Sequence, residues 1–242
     1  MWFRPDPKGN ITNRSSYEQN IILNLLQKFP AVDLYKQKFF PGFINWLPFF
    51  WNGFEQTTKY TYVLPDISNP DSLFAAFKSN TRRVIRNAQK LLKTQEFDDV
   101  QKFYDLNIKA YQGKGMRFPF TADFIGRVKQ YIRDNNCGDM IAAVDAIGNI
   151  HAVVIYVWDS HCAYYLAGVT NPNFYNSGAM SLLLWEAIQR SAKKSTSFNF
   201  EGSMAESIER FFRDFGGRLT PYFEISKTQS RLLKWIDFIR GQ

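Results

Sequence analysis

The sequence predicts an α+β fold, a mixed sheet with helices packed on it and a core that runs βββ-α-β-α-β. Three observations predict it. Met140 to Val144, Ile150 to Trp158 and Cys162 to Val169 are apolar and rich in Val, Ile, Tyr and Ala, with turns at Gly148-Asn149 and Asp159-Ser160-His161. That is the pattern of an antiparallel meander. Met180 to Ala192 then reads as a strong helix, and Ser197 to Glu201, Ala205 to Phe215 and Leu219 to Ile225 as strand, helix and strand. A strand–helix–strand unit after a meander requires parallel pairing within an otherwise antiparallel sheet.

The remaining elements follow in order. Tyr17 to Phe29 has apolar residues at helical spacing. Between Phe39 and Trp51 many large rings are interrupted by Pro41, Gly42 and Pro48, which break regular structure, so these rings must bury against something else. Lys59 to Leu64 alternates as a strand does. Asn69-Pro70-Asp71 is a helix start: an N-cap, a proline at the first helical position and an acid in the first turn. A helix from Thr81 places Val84, Ile85, Ala88, Leu91 and Leu92 on one face and Arg82, Arg86, Lys90 and Lys93 on the other, with Arg83 at the edge. Asp98 to Tyr111 and Thr121 to Arg133 are helical, joined by a glycine-bearing loop through Lys114 and Arg117. Gly216-Gly217 ends the Ala205 helix, and Thr228 to Ile239 closes the chain as an amphipathic helix.

Composition narrows the function classes. The net charge of +8 favours anionic partners, but it is spread widely rather than gathered in a nucleic-acid module. Cys137 and Cys162 have neither CxxC nor His-rich spacing, so no zinc site is expected. His151 and His161 stand at strand ends or turns, and no motif supports a Ser/His/Asp triad. The first ten residues lack the apolar core of a signal peptide, and no run approaches the roughly 18 apolar residues that span a bilayer. A cytoplasmic protein without integral membrane contact is the expectation.

Three segments carry a family resemblance. Asn80 to Lys90 is similar to an R-x-x-x-R-x-A-x-K helix, Tyr164 to Ile188 to a strand-loop-helix, and Phe200-Glu201-Gly202-Ser203 with Phe211 to Gly217 to a D-F-E-G-S and F-x-x-x-F-G-G signature. Together they resemble the FemAB-like branch of the GNAT acyltransferases, which includes the Fem-type peptidoglycan aminoacyltransferases of bacteria. The resemblance implies a GNAT-like fold over residues 61–242 and an acyl group moved from an acyl-CoA-type donor to an amine by direct attack. The family has two GNAT-like halves. Residues 1–60 are therefore expected to be a remnant of the first half, or the trace of a shortened gene product. As a remnant, their rings would serve a homodimer; otherwise they would cover the second half's own sheet.

The resemblance also assigns roles. Glu201 is the candidate base or amine-orienting group, at the end of its strand; Asn199 stands where an acid is often found. The donor loop of ordinary GNAT enzymes, Q/R-x-x-G-x-G/A, corresponds to Tyr175 to Met180, so Gly178, Ala179 and Met180, with Ser203, are the cofactor-binding candidates. Tyr175 and Met180 depart from that pattern, and Fem-type members, which use aminoacyl-tRNA, also have a degenerate loop. Arg82, Arg83, Arg86, Lys114, Arg117, Tyr165 and Arg213 are the substrate-binding candidates, and no metal is implied. Tyr164, Tyr165 and Trp158 lie on central strands, one face of which would line a substrate groove. Two rival functions follow: a tRNA-dependent aminoacyltransferase acting on a peptidoglycan precursor, and a catalytically inactive GNAT-like binding module.

Overall fold

The meander forms as its alternation predicts, and it anchors everything that positions the site. A computed structural model describes residues 11–202, 204–230 and 235. Its elements along the chain are α1 (Ile11–Leu26), β1 (Leu34–Lys38), α2 (Leu47–Trp51), β2 (Glu55–Leu64), α3 (Pro70–Ala76), α4 (Ser79–Leu91), β3 (Lys93–Glu96), α5 (Val100–Gln112) and α6 (Ala122–Asn135). There follow β4 (Gly138–Val144), β5 (Ile150–Trp158), β6 (Cys162–Thr170), a 3-10 turn (Pro172–Ser177), α7 (Ala179–Ser191), β7 (Ser197–Asn199), α8 (Glu206–Arg213) and β8 (Arg218–Thr228). The expected closing helix lies largely outside the described residues, and its first position, Thr228, ends β8.

The chain divides into two compact units, one of residues 1–60 with 220–242 and one of residues 61–219. In the larger unit the strands stand in the order β2-β7-β6-β5-β4-β3. All neighbours pair antiparallel except β6 and β7, which are parallel. This is the mixed sheet that the element order requires. Both of its faces are covered. Ile141, Ala143, Val154 and Tyr156 join α4, α7 and α8 in one apolar cluster, and Ala142, Val153, Ile155 and Val169 join α5 and α6 in the other. Successive residues of β4 and β5 therefore enter opposite cores, which explains why these strands read as unbroken apolar runs.

Helix starts follow local chemistry. The Asn69 side chain accepts the Ser72 N–H at 3.1 Å, with Pro70 at the first helical position. Asp99 and Thr121 cap α5 and α6 in the same way. Two details of α4 are corrected. Leu91, expected on its apolar face, is exposed, and Lys93, expected on its basic face, has already entered β3. The helix stops at Leu91 because the chain turns extended at Leu92 to pair with β4.

In the smaller unit, Phe39, Phe43, Phe49 and Phe54 bury together with Ile22 and Ile225. Phe39 and Phe43 stack at 4.0 Å between centroids. Pro48 starts α2 rather than breaking structure, because the first turn of a helix needs no proline N–H. β1 pairs antiparallel with β8, where Glu224 is buried. Burial alone would raise its carboxyl, but ion pairs to Lys59 at 3.0 Å and Lys36 at 3.2 Å hold it below the ordinary range. Ile44, Phe50 and Trp51 remain exposed.

Candidate active site

The sheet of the larger unit opens beside β6. β7 is parallel to β6 only where Cys162, Ala163 and Tyr164 face Ser197, Phe198 and Asn199. On its other edge β7 follows β2, with Val63 opposite Asn199 and Leu64 opposite Phe198, and the Phe200 N–H continues to the Tyr62 carbonyl at 3.0 Å. So past Asn199 the pairing with β6 has ended while the chain still bonds β2. Phe200 secures that path: it is buried against Phe198, Phe212 and Phe215.

The sequence expectation ran this strand through Glu201. It ends instead at Asn199, and Glu201 and Gly202 both take positive φ, 54° and 43°. A non-glycine residue there costs about 1–3 kcal/mol and persists only where its surroundings hold it. Asn199 is that support. Its buried Oδ1 accepts from the Thr61 hydroxyl at 2.7 Å and from the Glu201 N–H at 2.8 Å. Its Nδ2 donates to Glu201 Oε1 at 3.1 Å. Only an amide can accept and donate at once here; an aspartate would lose the donor and set a second negative charge against Glu201.

Tyr164, opposite Asn199 in the register, adds to this cluster. Burial first, then Cys162, Asp159 and Glu201, push its hydroxyl above the usual range. Burial likewise raises the Cys162 thiol, against hydrogen bonds with Ser197 and Tyr164. A protonated thiol is a poor nucleophile, so the cluster is poorly suited to a covalent cysteine intermediate.

Comparison with known proteins classifies this arrangement. Residues 76–219 match the model of the acetyltransferase (GNAT) domain. The chain belongs to that family. GNAT membership makes acyl transfer its reaction class. FemX superposes with a TM-score of 0.68 at 12% identity, over 86% of this chain and 77% of FemX. L-PGS from Bacillus licheniformis superposes with a TM-score of 0.53 at 10% identity, over 80% of this chain and 68% of that one. A conserved protein of unknown function from Bacteroides thetaiotaomicron VPI-5482 gives 0.51 at 14% identity, over 72% of this chain and 62% of that one, so this chain spans less than two thirds of its length. At these identities the likeness is one of fold. No curated protein matches the chain by sequence.

The other expected site residues of this GNAT chain fall in separate places. Gly178 has φ of 74° and begins α7. A Cβ there would stand 2.7 Å from Val84 Cγ1, so this glycine is what lets α7 approach α4. Ala179 is buried and Met180 packs against the same core. Ser203 lies outside the described residues. Val84 and Ala88 face α7, whereas Arg82, Arg83, Arg86 and Lys90 line a surface depression with Ser79, Asn87 and Gln89. The loop glycine and the basic face are thus on opposite sides of α4. Within that face Arg83 bonds Asn80 at 2.8 Å, Arg86 lies over the Phe74 ring, and Arg82 Nε is buried without a hydrogen-bond partner.

Tyr165 lies at the opening itself, edge-on to the Phe212 ring of α8, its hydroxyl raised by burial. A Cβ on Gly168 would stand 2.6 Å from that hydroxyl, so the phenol runs along β6 toward Gly168. Lys114 and Arg117 are exposed in the loop after α5, and Arg213 pairs with Glu209 at 3.4 Å on α8. Sequence reasoning missed Thr61, whose alternating strand context marked it only as a strand residue. Among the described residues no group of three or more His, Cys, Asp or Glu is placed to hold a metal, and no helix is long and apolar enough to cross a membrane.

Proposed function

We propose that the chain transfers an acyl group from an acyl-CoA-type donor, lying along the β6 edge from Tyr165 onward, to an amine held near Glu201. The observation that carries this is that the β6–β7 pairing ends at Tyr164 and Asn199, while the chain just past β7 still bonds β2 through the Phe200 N–H. An extended donor can take the vacated edge, as a strand would. The amine nitrogen attacks the acyl carbon, the new C–N bond replaces the C–S bond, and Glu201 relays the amine proton toward the departing thiolate. Asn199 and Thr61 hold the carboxylate in place for that relay.

One observation favours a second reading. The arginine face of α4 points away from the α7 start, where a pyrophosphate would meet backbone N–H groups. A basic face of that kind suits a longer polyanion, and the Fem-type resemblance supplies one: an aminoacyl-tRNA donor, with a peptidoglycan precursor as acceptor. A homodimer through exposed Ile44, Phe50 and Trp51 is a proposal for the smaller unit. Thermal shifts with acetyl-CoA, longer acyl-CoAs, UDP-linked muropeptides and aminoacyl-tRNA decide between the donors. A rise in Tm with acyl-CoA is expected; a rise with aminoacyl-tRNA alone transfers the assignment to the second reading. No rise with any donor leaves an inactive binding module.

A further inference from the structure

A groove of about 770 Å³ opens on the α6 side of the larger unit's sheet. The rings of Phe124, Tyr131, Trp158 and Tyr164 line it, together with Leu166 and Asp159. Phe124, Tyr131 and Leu166 are exposed, a concentration of apolar surface that packing within the unit does not require.

Its electrostatics run against the rest of the protein. The chain carries a net charge of +8. Yet the cation lining this groove, Arg127, is paired with Asp123 at 3.2 Å. Asp159 is held by the backbone: its Oδ1 accepts the N–H groups of His161 and Cys162 at 2.7 and 2.8 Å. The carboxylates of Asp159 and Glu201 both act on the Tyr164 hydroxyl, in the direction that raises it. Four aromatic rings beside a fixed carboxylate form an environment for a cation, since ring quadrupoles attract positive charge and the apolar walls take up its hydrocarbon body.

Through Tyr164 the groove borders the strand that positions the base. Tyr164 lines the groove and stands opposite Asn199, whose amide binds Glu201 Oε1. We propose that this groove is the acceptor site, and that the acceptor enters as an ammonium ion carried on an apolar or aromatic body. The inference rests on the acyl-transfer reading for the identity of the occupant. It separates the two substrates by charge: an anionic donor, and a cationic acceptor that bears no phosphate next to Asp159.

The test uses benzyltrimethylammonium, an apolar cation with no nitrogen to acylate, and 3-phenylpropanoate as its anionic counterpart. The Trp158 indole N–H resonance, assigned with Trp158→Phe, reports binding without any acyl donor. Saturable shifts with the cation and none with the carboxylate are expected. Asp159→Asn should weaken the cation about fivefold and Tyr131→Ala, at an exposed ring, about threefold. Equal responses to both probes, or no response, overturn the proposal. So does a response that appears only as a dimer dissociates on dilution, because a second copy of the chain would then be what covers the groove. Saturable cation binding by a protein that transfers no acyl group from either donor class sinks the proposed function and leaves the groove standing. Acyl transfer that the bound cation does not inhibit sinks the acceptor assignment and leaves the function.

Discussion

The two edges of β6 are built differently. Toward β5 the ladder runs from Ala163 opposite Trp158 to Thr170 opposite Ala152. Its one register shift, between Ile155 and Tyr156, leaves Leu166 without an opposite residue. Toward β7 the pairing stops at Tyr164. The first edge is held by side chains buried on both faces, Val153 to Tyr156 among them. The second is short because β7 is claimed by another strand: Phe200 bonds to Tyr62 and packs under α8, and the left-handed turn at Glu201 and Gly202 then ends the strand. An opening in a sheet can thus arise from competition between two neighbours for one strand, with no need for a strand breaker in the strand that loses its partner.

The most direct way to break this contrast is to loosen the strand that leaves. Phe200→Ala removes a fully buried ring from the point of departure and should cost about 3–5 kcal/mol. Urea unfolding checks this through a lower midpoint at unchanged slope. A loss below about 1 kcal/mol would mean that packing at Phe200 does not set the path of β7. Next in size is Glu201→Gln, which keeps the shape and removes the charge. Acyl transfer should fall about 100-fold in kcat, with donor affinity unchanged and stability within about 0.5 kcal/mol. Unchanged kcat would strip Glu201 of its role in the transfer.

Much of the rigid edge is legible in the sequence. Ile150 to Trp158 reads as a strand from its apolar run, and the structure has the same bounds. Asn69-Pro70 reads as a helix start because cap chemistry is local. β1 and β3 are not legible, since LYKQK and KTQE offer no alternation; each is a strand only because a neighbour supplies backbone partners. The opening is half legible. Glu201 is marked by its turn and its bonds to Asn199 are local, two residues apart, but the bond from Thr61 that fixes Asn199 joins positions 138 apart in the chain. In the groove, Tyr164 and Trp158 are marked by their strands, whereas Phe124 and Tyr131 pass unnoticed. A signal was there: α6 buries Ile125 and Ile132 and carries a second stripe of Phe124, Val128 and Tyr131, so its apolar side is wider than one core contact needs.

A finer test of the open edge is Asn199→Asp. The shape is kept, but the bond from Nδ2 to Glu201 becomes a like-charge contact. Loss of about tenfold in kcat is expected, with a modest loss of stability because the Thr61 hydroxyl keeps its acceptor. Full activity would show that the turn alone orients Glu201.

The smallest effect lies at the β4–β5 turn, on the rigid side of β6. The Asn149 side chain at 2.9 Å is the main cause that holds the Asp145 carboxyl at about 2, below its ordinary 3.8; the backbone N–H of Asn149, the His151 ring and the Ile147 N–H add to it. A depressed carboxyl stabilises the folded chain fully above the unfolded value, and that contribution disappears as pH falls through the folded one. The stability gap between the native chain and Asp145→Asn should therefore be constant at neutral pH and shrink between 3.8 and about 2. Thermal melts of both proteins across that window measure it. Glu201→Gln is expected to leave the same profile unchanged, because the turn and the base lie on opposite sides of β6. A gap that survives to pH 2 would assign the turn's stability to shape rather than charge, and a profile altered by Glu201→Gln would show that the two edges are coupled.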